Sequence, residues 1–249
     1  MGNDCPICHG TGFELSTGAG GIESARPCSC GEECNEERLL RAARIPRRYD
    51  HCALEDFEIH HASHESARSA AREWVELWPA NSHGLLLLGK PGTGKTHLAV
   101  ALARELIRTK GARVLFYEQR ALLKALQGTF DAASSQRETE ILRPVLDAEV
   151  LVLDDLGAGR TTPWARDVMH DVIAHRYNED RPLIMTSNHS TGEESDRARP
   201  AKKGALDGPL SLRDRLGDAL MSRLYEMCRI VRIGGDDYRK GILHAKHHF

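Results

Sequence analysis

The eight residues from Gly89 to Thr96 read GKPGTGKT and match the pattern G-x-x-x-x-G-K-[ST] at every defined position. Glycines in such a loop let the backbone wrap closely around phosphate and aim its N–H groups inward. Lys95 can reach the β- and γ-phosphates, and the Thr96 hydroxyl can ligate Mg²⁺. The stretch therefore predicts a site for ATP and Mg²⁺. Its predicted nucleotide-binding members are Gly89, Lys90, Pro91, Gly92, Thr93, Gly94, Lys95 and Thr96.

The sequence on either side of this loop supports the same interpretation. Leu85 to Leu88 form an apolar run typical of a buried parallel strand, and residues His97 to Arg108 have helical spacing of apolar side chains. The N-terminus of that helix would add partial positive charge beside the phosphates. A chance glycine-rich turn is the alternative, but the order strand, loop, helix favours a phosphate loop.

A second apolar run ends in two carboxylates. Glu149 to Leu156 read EVLVLDDL, which predicts a buried strand followed by Asp154 and Asp155. We expect Asp154 to hold Mg²⁺ and Asp155 to orient or activate the attacking water. The alternative is an ordinary acidic turn at the end of a strand, which the spacing after the phosphate loop disfavours.

Two further polar positions lie later in the chain. Asn188 follows a predicted strand, Pro182 to Met185, where its amide could touch the γ-phosphate or the attacking water or could simply cap a turn. Arg223 lies in a predicted helix from Leu210 to Tyr225. Its residue type alone fits equally well with a surface ion pair and with a group that stabilises phosphate charge.

Five of the seven cysteines lie in the first 34 residues. The CxxC pair Cys5 and Cys8 and the CxC pair Cys28 and Cys30 supply four thiolates that could hold Zn²⁺ tetrahedrally. Because CxC is a less usual pair than CxxC, Cys34 and His9 are possible substitutes. A redox CxxC and free thiols in a disordered arm are the alternatives. The predicted ligands are Cys5, Cys8, Cys28 and Cys30.

Length and composition set broad limits. The 249 residues carry 34 basic and 36 acidic side chains, so nucleic-acid binding would depend on local patches. Neither a signal-peptide core nor a membrane-spanning apolar run is present, so we expect a cytoplasmic chain with no membrane partner. We predict a zinc-binding module at 1–35, a helical linker at 36–60 and an ATPase domain at 61–249.

The remaining periodicities alternate between strand and helix, which predicts a doubly wound α/β fold. A polar loop is expected at Gly128 to Glu138, a mobile loop at Ser190 to Gly208 and a partly disordered tail after Gly234. The other predicted helices and strands are Glu36–Arg48, Ser66–Trp78, Arg113–Glu118, Gln119–Leu126, Ile141–Leu146, Trp164–Tyr177 and Cys228–Ile233.

The motifs GKPGTGKT, LVLDDLG, MTSN and GDALMSRLYEM, in this order, resemble the AAA+ ATPases of the DnaC/DnaI helicase-loader and IstB transposition-helper family. The upstream CPICHGTGF, CSC and IPRRYD segments resemble it too, so the likeness covers nearly the whole chain. It implies an AAA+ P-loop domain with a five-stranded parallel sheet, preceded by a small N-terminal zinc-binding module.

The resemblance also implies roles for individual residues. Lys95 and Thr96 match Walker A, Asp154 and Asp155 match Walker B, Asn188 matches sensor 1, and Arg223 matches an arginine finger that acts on a neighbouring subunit's ATP. Many AAA+ proteins have Glu where this chain has Asp155, whose shorter arm changes the reach to water. We also expect no helical lid after the fifth strand.

The function implied is that of an ATP-hydrolysing helicase loader that engages a replicative DNA helicase and single-stranded DNA and forms an ATP-dependent homo-oligomer. Arg120, Lys124 and Phe130 are the predicted DNA contacts. Alternatives are an IstB-type transposition helper that binds duplex DNA and a nucleotide-dependent adaptor with little turnover. A small-molecule kinase is less favoured, because such an enzyme needs an acceptor pocket and a lid and the sequence indicates neither.

Overall fold

The computed structural model describes residues 13–17, 23–27, 29–80, 82–129, 135–159, 162–193 and 210–240. Its strands are β1 (Phe13–Thr17), β2 (Glu23–Pro27), β3 (Gly84–Leu88), β4 (Val114–Glu118), β5 (Val150–Asp154), β6 (Leu183–Ser187) and β7 (Cys228–Arg232). Its helices are α1 (Ser29–Ala42), α2 (Ala62–Leu77), α3 (Lys95–Lys110), α4 (Gln119–Gln127), α5 (Ser135–Asp147), α6 (Pro163–Asn178), α7 (Leu212–Leu216) and α8 (Asp218–Met227).

Five strands form one parallel sheet in the order β4-β5-β6-β3-β7, which confirms the predicted α/β class and strand number. Parallel strands place all their carboxyl ends at one edge. Because β6 lies between β5 and β3, the segments that follow these three strands are neighbours at that edge. Ligands of open α/β sheets bind at this edge, and Thr96, Asp154, Asp155 and Asn188 converge there.

The sheet is buried on both faces, as side-chain alternation along β3 illustrates. Leu85 and Leu87 pack with α1, α2 and α3 on one face. Leu86 and Leu88 pack with α4 to α8 on the other. This two-sided burial explains why β3 reads as an uninterrupted apolar run and fixes the position of the loop that follows it.

The carboxyl-terminal half of the helical layer differs from the prediction in two places. α5 begins at Ser135, inside the segment expected to be a loop. Ile141, Leu142 and Val145 pack inward, while residues 137–140 are exposed. The helix expected over Leu210 to Tyr225 is two helices, since Gly217 has φ 88° and ψ 160° and cannot continue a helix.

The amino-terminal part also differs from the prediction. β1 and β2 form an antiparallel hairpin that the sequence did not indicate, with Phe13 opposite Pro27. α1 begins at Ser29 rather than Glu36 and ends at Ala42, two residues before Arg44 adopts a positive φ of 58°. The Phe116 N–H of edge strand β4 donates to Ala43 O at 2.8 Å, so the end of α1 covers that edge.

Within the described ranges, no helix has both the length and the apolar character needed to cross a bilayer.

Candidate nucleotide-binding site

The phosphate loop connects β3 to α3, as the sequence predicts. Gly92 and Gly94 have φ values of 80° and 90°, a backbone region that glycine enters without strain. Gly94 is the residue immediately before α3, so the first N–H groups of that helix open toward the loop. Thr93 is buried and donates to Lys90 O at 2.9 Å, which holds the loop closed on itself.

Lys95 is held inside this loop. Its Nζ donates to Gly89 O at 2.9 Å and to Lys90 O at 2.7 Å, and only 6% of the residue is exposed. Burial lowers the pKa of Lys95 to about 8, although Asp155 and Asp154 oppose the shift. The loop carbonyls that accept from this ammonium carry only partial negative charge. A polyphosphate beside it would supply full negative charge and stabilise the charged lysine.

Asp154 is joined to the phosphate loop through hydroxyl groups. Its Oδ1 accepts from Thr96 Oγ1 at 2.8 Å and from Thr186 Oγ1 at 2.7 Å. Burial raises the pKa of Asp154, and the two hydroxyl hydrogen bonds oppose that shift. A carboxylate beside a threonine hydroxyl is the oxygen-donor set that Mg²⁺ prefers, so Thr96 and Asp154 fit the predicted magnesium ligands.

Asp155 faces a different partner from its neighbour. It adopts a left-handed φ of 57°, which Asp tolerates better than most residues. Its backbone N–H donates to Thr186 Oγ1 at 2.9 Å, and its Oδ1 accepts from Asn188 Nδ2 at 2.7 Å. The strand-end turn therefore places the Asp155 carboxylate beside Asn188 and leaves Asp154 beside Thr96.

The chain after β7 lies against the phosphate loop and is not a disordered tail through residue 240. Tyr238 N donates to Gly92 O at 3.1 Å, and a Cβ on Gly92 would collide with Asp237. On the other side, a Cβ on Gly94 would come within 2.8 Å of Phe57 Cε2. Both glycines are therefore needed for close packing as well as for their backbone angles.

Arg223 lies on α8 and is half-buried. Its Nη1 lies 2.7 Å from Nε2 of His170 on α6, where the guanidinium donates and the imidazole accepts. Arg215 on α7 donates to Gly157 O at 3.0 Å and to Gly159 O at 2.8 Å. Arg215 therefore stabilises the loop that follows Asp155. Arg223 is thus not gathered with Lys95, Asp154, Asp155 and Asn188 within one chain.

Several predicted residues lie outside the described part of the chain. Cys5, Cys8, Cys28 and His9 are among them, as is Phe130, while Cys30 and Cys34 belong to α1. Arg120 and Lys124 are exposed and one helical turn apart on α4. The zinc ligands and the DNA contacts therefore stay predictions.

Sequence reasoning missed three groups that organise the site. Thr186 links both Walker B residues, although it lies inside the quoted MTSN motif. Gln119 Oε1 accepts from Gly157 N at 2.7 Å, and it follows strand β4 at the same sheet edge as Asp154. For Gln119 the available signal was a polar residue directly after a parallel strand, and for Thr186 it was a polar residue near the end of an otherwise apolar strand. The approach of Asp237 to the loop left no comparable pattern.

The fold and the linked Walker A and Walker B residues define a P-loop nucleotide-binding α/β protein of AAA+ type. The chain belongs to the IstB-like ATP binding protein family, whose model matches residues 30–245. The predicted family resemblance is therefore confirmed.

Relatives and solved structures agree with this assignment. The phage-like element PBSX protein XkdC of Bacillus subtilis is 27% identical over 94% of this chain and 84% of its own length. The replicative helicase loader DnaC of Escherichia coli K12 is 27% identical over 63% of each chain. A crystal structure of the DnaC helicase loader is 33% identical, with a TM-score of 0.64 over 76% of this chain and 99% of that one.

Proposed function

We propose that the chain is a Mg²⁺-dependent ATPase. The hydrogen-bonded series from Thr96 through Asp154 and Thr186 to Asp155 and Asn188 carries this proposal. Lys95 would bind the β- and γ-phosphates, and Thr96 with Asp154 would hold Mg²⁺, which offsets phosphate charge. Asp155 would orient the attacking water, and Asn188 would fix that carboxylate and sense the γ-phosphate.

We propose further that this ATPase loads a replicative DNA helicase onto single-stranded DNA. The likeness to the solved DnaC helicase loader, which extends over 99% of that chain, supports this choice over other P-loop functions. The exposed pair Arg120 and Lys124 on α4 lies next to the site-bearing edge, since α4 begins directly after β4. Their charges would contact the phosphates of a single strand, and Phe130 would stack on a base.

The N-terminal residues 1–35 are proposed as a zinc module that grips the helicase. The antiparallel pairing of Phe13 with Pro27 closes one end of the hairpin, and the two predicted cysteine pairs flank that end in sequence. A single Zn²⁺ bound by Cys5, Cys8, Cys28 and Cys30 would stabilise a segment with little apolar content.

ATP-dependent self-association completes the proposal. Arg223 would act on ATP held by a neighbouring subunit in a homo-oligomer, because in its own chain it contacts His170 rather than the phosphate loop.

The test is helicase retention on DNA. The full chain is mixed with the replicative helicase of its source organism and a circular single strand, and helicase that remains on the circle is measured with and without ATP. Wild type should raise retention and Lys95→Ala should not, while Lys110→Ala, at the exposed far end of α3, should behave as wild type. Retention unaffected by this chain would reject helicase loading.

Two parallel measurements separate the alternative functions. Stimulation of ATP turnover by duplex but not single-stranded DNA would favour a transposition helper. ATP binding without measurable turnover under either condition would favour an adaptor.

A further inference from the structure

Three potential metal ligands meet beside the first turn of α3. They are His51 and Cys52, which follow a short 3-10 turn at Arg47–Tyr49, and His97, in the first turn of α3. One donor atom from each lies within 4.8 Å of the other two. His51 is exposed, His97 is half-buried, and the Cys52 thiol is free and 1% exposed.

We propose that His51, Cys52 and His97 form a second metal site that binds Zn²⁺ or a similar borderline-soft divalent cation, separate from the N-terminal cysteines. One thiolate with two imidazoles suits such an ion, whereas Mg²⁺ and Ca²⁺ prefer oxygen ligands. The three ligands come from two segments 44 residues apart, as the contact of His97 with Ala53 records, so their meeting is a product of the fold.

Metal binding requires the three donor atoms to move closer together than the 4.8 Å within which they now lie. The Cys52 Sγ lies 4.0 Å from Nε2 of His51. In a tetrahedral zinc site with Zn–S near ~2.3 Å and Zn–N near ~2.0 Å, donor atoms are about 3.3–3.6 Å apart. Because the His51 side chain is exposed, its ring can rotate to shorten the distance from Nε2 to Cys52 Sγ to this range. Zn²⁺ displaces the thiol proton on binding, as it does in other cysteine sites.

The surroundings of the cluster supply a second shell and an open position. Nε2 of His97 lies 3.3 Å from Ala53 O, and donation to that carbonyl leaves the lone pair of the neutral ring on Nδ1. Asp56 is exposed and close enough to act electrostatically on both Cys52 and His97. A water molecule would complete four-coordination.

The position of this site connects it to the nucleotide. His97 directly follows Thr96, and its ring packs on Phe57 with centroids 5.7 Å apart. Phe57 in turn limits the space at Gly94. Metal bound to both segments would therefore fix residues 51–57 against the first turn of α3 and stiffen the support of the phosphate loop.

The experiment must remove the proposed N-terminal zinc without removing residues. The parent is the full chain with Cys5, Cys8, Cys28, Cys30 and Cys34 replaced by serine. Freed of metal, it is titrated with Co²⁺ alone and then with Zn²⁺. We expect about one Co²⁺ per chain, with a thiolate-to-cobalt charge-transfer band that Zn²⁺ abolishes by displacement.

Variants of the parent assign the ligands. Cys52→Ala should abolish the charge-transfer band. His51→Gln alters an exposed side chain and should weaken Co²⁺ binding by more than the ~10–100-fold typical of outer-shell partners. His60→Gln, an exposed histidine paired with Glu58 outside the cluster, should bind as the parent does. Thermal unfolding of each metal-free variant verifies that it is folded.

Two results would overturn the proposal. One is a folded parent that shows no thiolate band with Co²⁺. The other is a band that persists in a ligand variant. Persistence in His51→Gln at unchanged affinity would exclude His51 as a ligand, and persistence in Cys52→Ala would assign the band to Cys228 or another donor. Loss of zinc between wild type and parent reports separately on the N-terminal module, so the two zinc proposals fail independently.

Discussion

Arg223 donates to Nε2 of His170 across 2.7 Å and so joins α8 to α6 within one chain. The acceptor must be a neutral imidazole with its lone pair on Nε2, because a protonated ring has no lone pair to offer. An arginine that stabilises the γ-phosphate of a neighbouring subunit would use its other N–H groups or release His170. The pair therefore holds Arg223 in place in the isolated chain.

The first prediction concerns the role of Arg223 in ATP hydrolysis. Arg223→Ala should bind ATP as well as wild type but hydrolyse it about 10³-fold more slowly, since the variant lacks the charge that a finger supplies in the transition state. Turnover by wild type should also rise more than linearly with protein concentration. ATP binding is measured by calorimetry and turnover by phosphate release.

Mixing two inactive chains tests whether the arginine acts between subunits. Lys95→Ala offers an intact Arg223, and Arg223→Ala offers an intact phosphate site, so a mixture should recover turnover. Arg229→Ala is the control and should hydrolyse ATP as wild type does, because it removes only an exposed ion pair with Glu73. A mixture that assembles but stays inactive would make Arg223 a structural or cis-acting residue.

The second prediction separates the two Walker B carboxylates. Asp155→Asn keeps the side-chain size and tolerates the left-handed backbone, and it leaves Asp154 for Mg²⁺. ATP should bind normally while turnover falls about 10²-fold or more, the usual contribution of a positioned base. Asn188→Ala, which removes the donor to Asp155, should lower turnover less. Weakened binding with unchanged turnover would show that the roles are assigned wrongly.

Prediction from sequence succeeded where one local pattern determines one structure. The apolar run of β3, the loop glycines and the following helix correctly place Lys95 and Thr96 at the start of α3, and EVLVLDDL correctly places Asp154 at the end of β5. It failed where distant segments meet. Asp237 reaches Gly92 only because β7 lies beside β3, and Cys52 reaches His97 only because its loop packs on α3. Polar composition also misled at α5, whose exposed face is simply charged.

The third prediction is a pH dependence of ATP affinity. The pKa of Lys95 is lowered to about 8 in the free protein, and bound phosphates would raise it by favouring the charged form. Binding above pH 8 therefore takes up a proton, so affinity should fall by up to about tenfold per pH unit as pH rises from 8 toward 10. Below about pH 7 the lysine is charged in both states and its contribution should be constant.

Calorimetry in buffers of different ionisation enthalpy checks this linkage directly, since proton uptake adds a buffer-dependent heat. Lys95→Ala should bind ATP more weakly and lose this proton uptake above pH 8. Equal affinity of wild type and Lys95→Ala would remove the lysine from the site. Uptake that persists in the variant would assign the proton to another group.

Among the residues that the structure describes, Arg176 is the largest fully buried side chain, and it lies at the opposite edge of the sheet from the site. Its guanidinium donates to backbone carbonyls at the end of α5, the start of β5 and the start of β6. Their oxygens belong to Val145, Leu146, Ala148, Glu149 and Pro182, at 2.9–3.3 Å. β5 ends at Asp154 and Asn188 directly follows β6, so this arginine ties together the opposite ends of the two strands that position these residues.

The fourth prediction follows from that position. Arg176→Met keeps the length and apolar stem but leaves the carbonyls without their donor, so the free energy of unfolding should fall by roughly 3–5 kcal/mol. Arg143→Met should cost less than about 1 kcal/mol, because Arg143 is 78% exposed in its pair with Asp147. Urea unfolding of both variants without nucleotide measures the difference. Equal losses of stability in Arg176→Met and Arg143→Met would mean that solvent or neighbouring N–H groups replace the Arg176 donors. The two strands would then not depend on this residue.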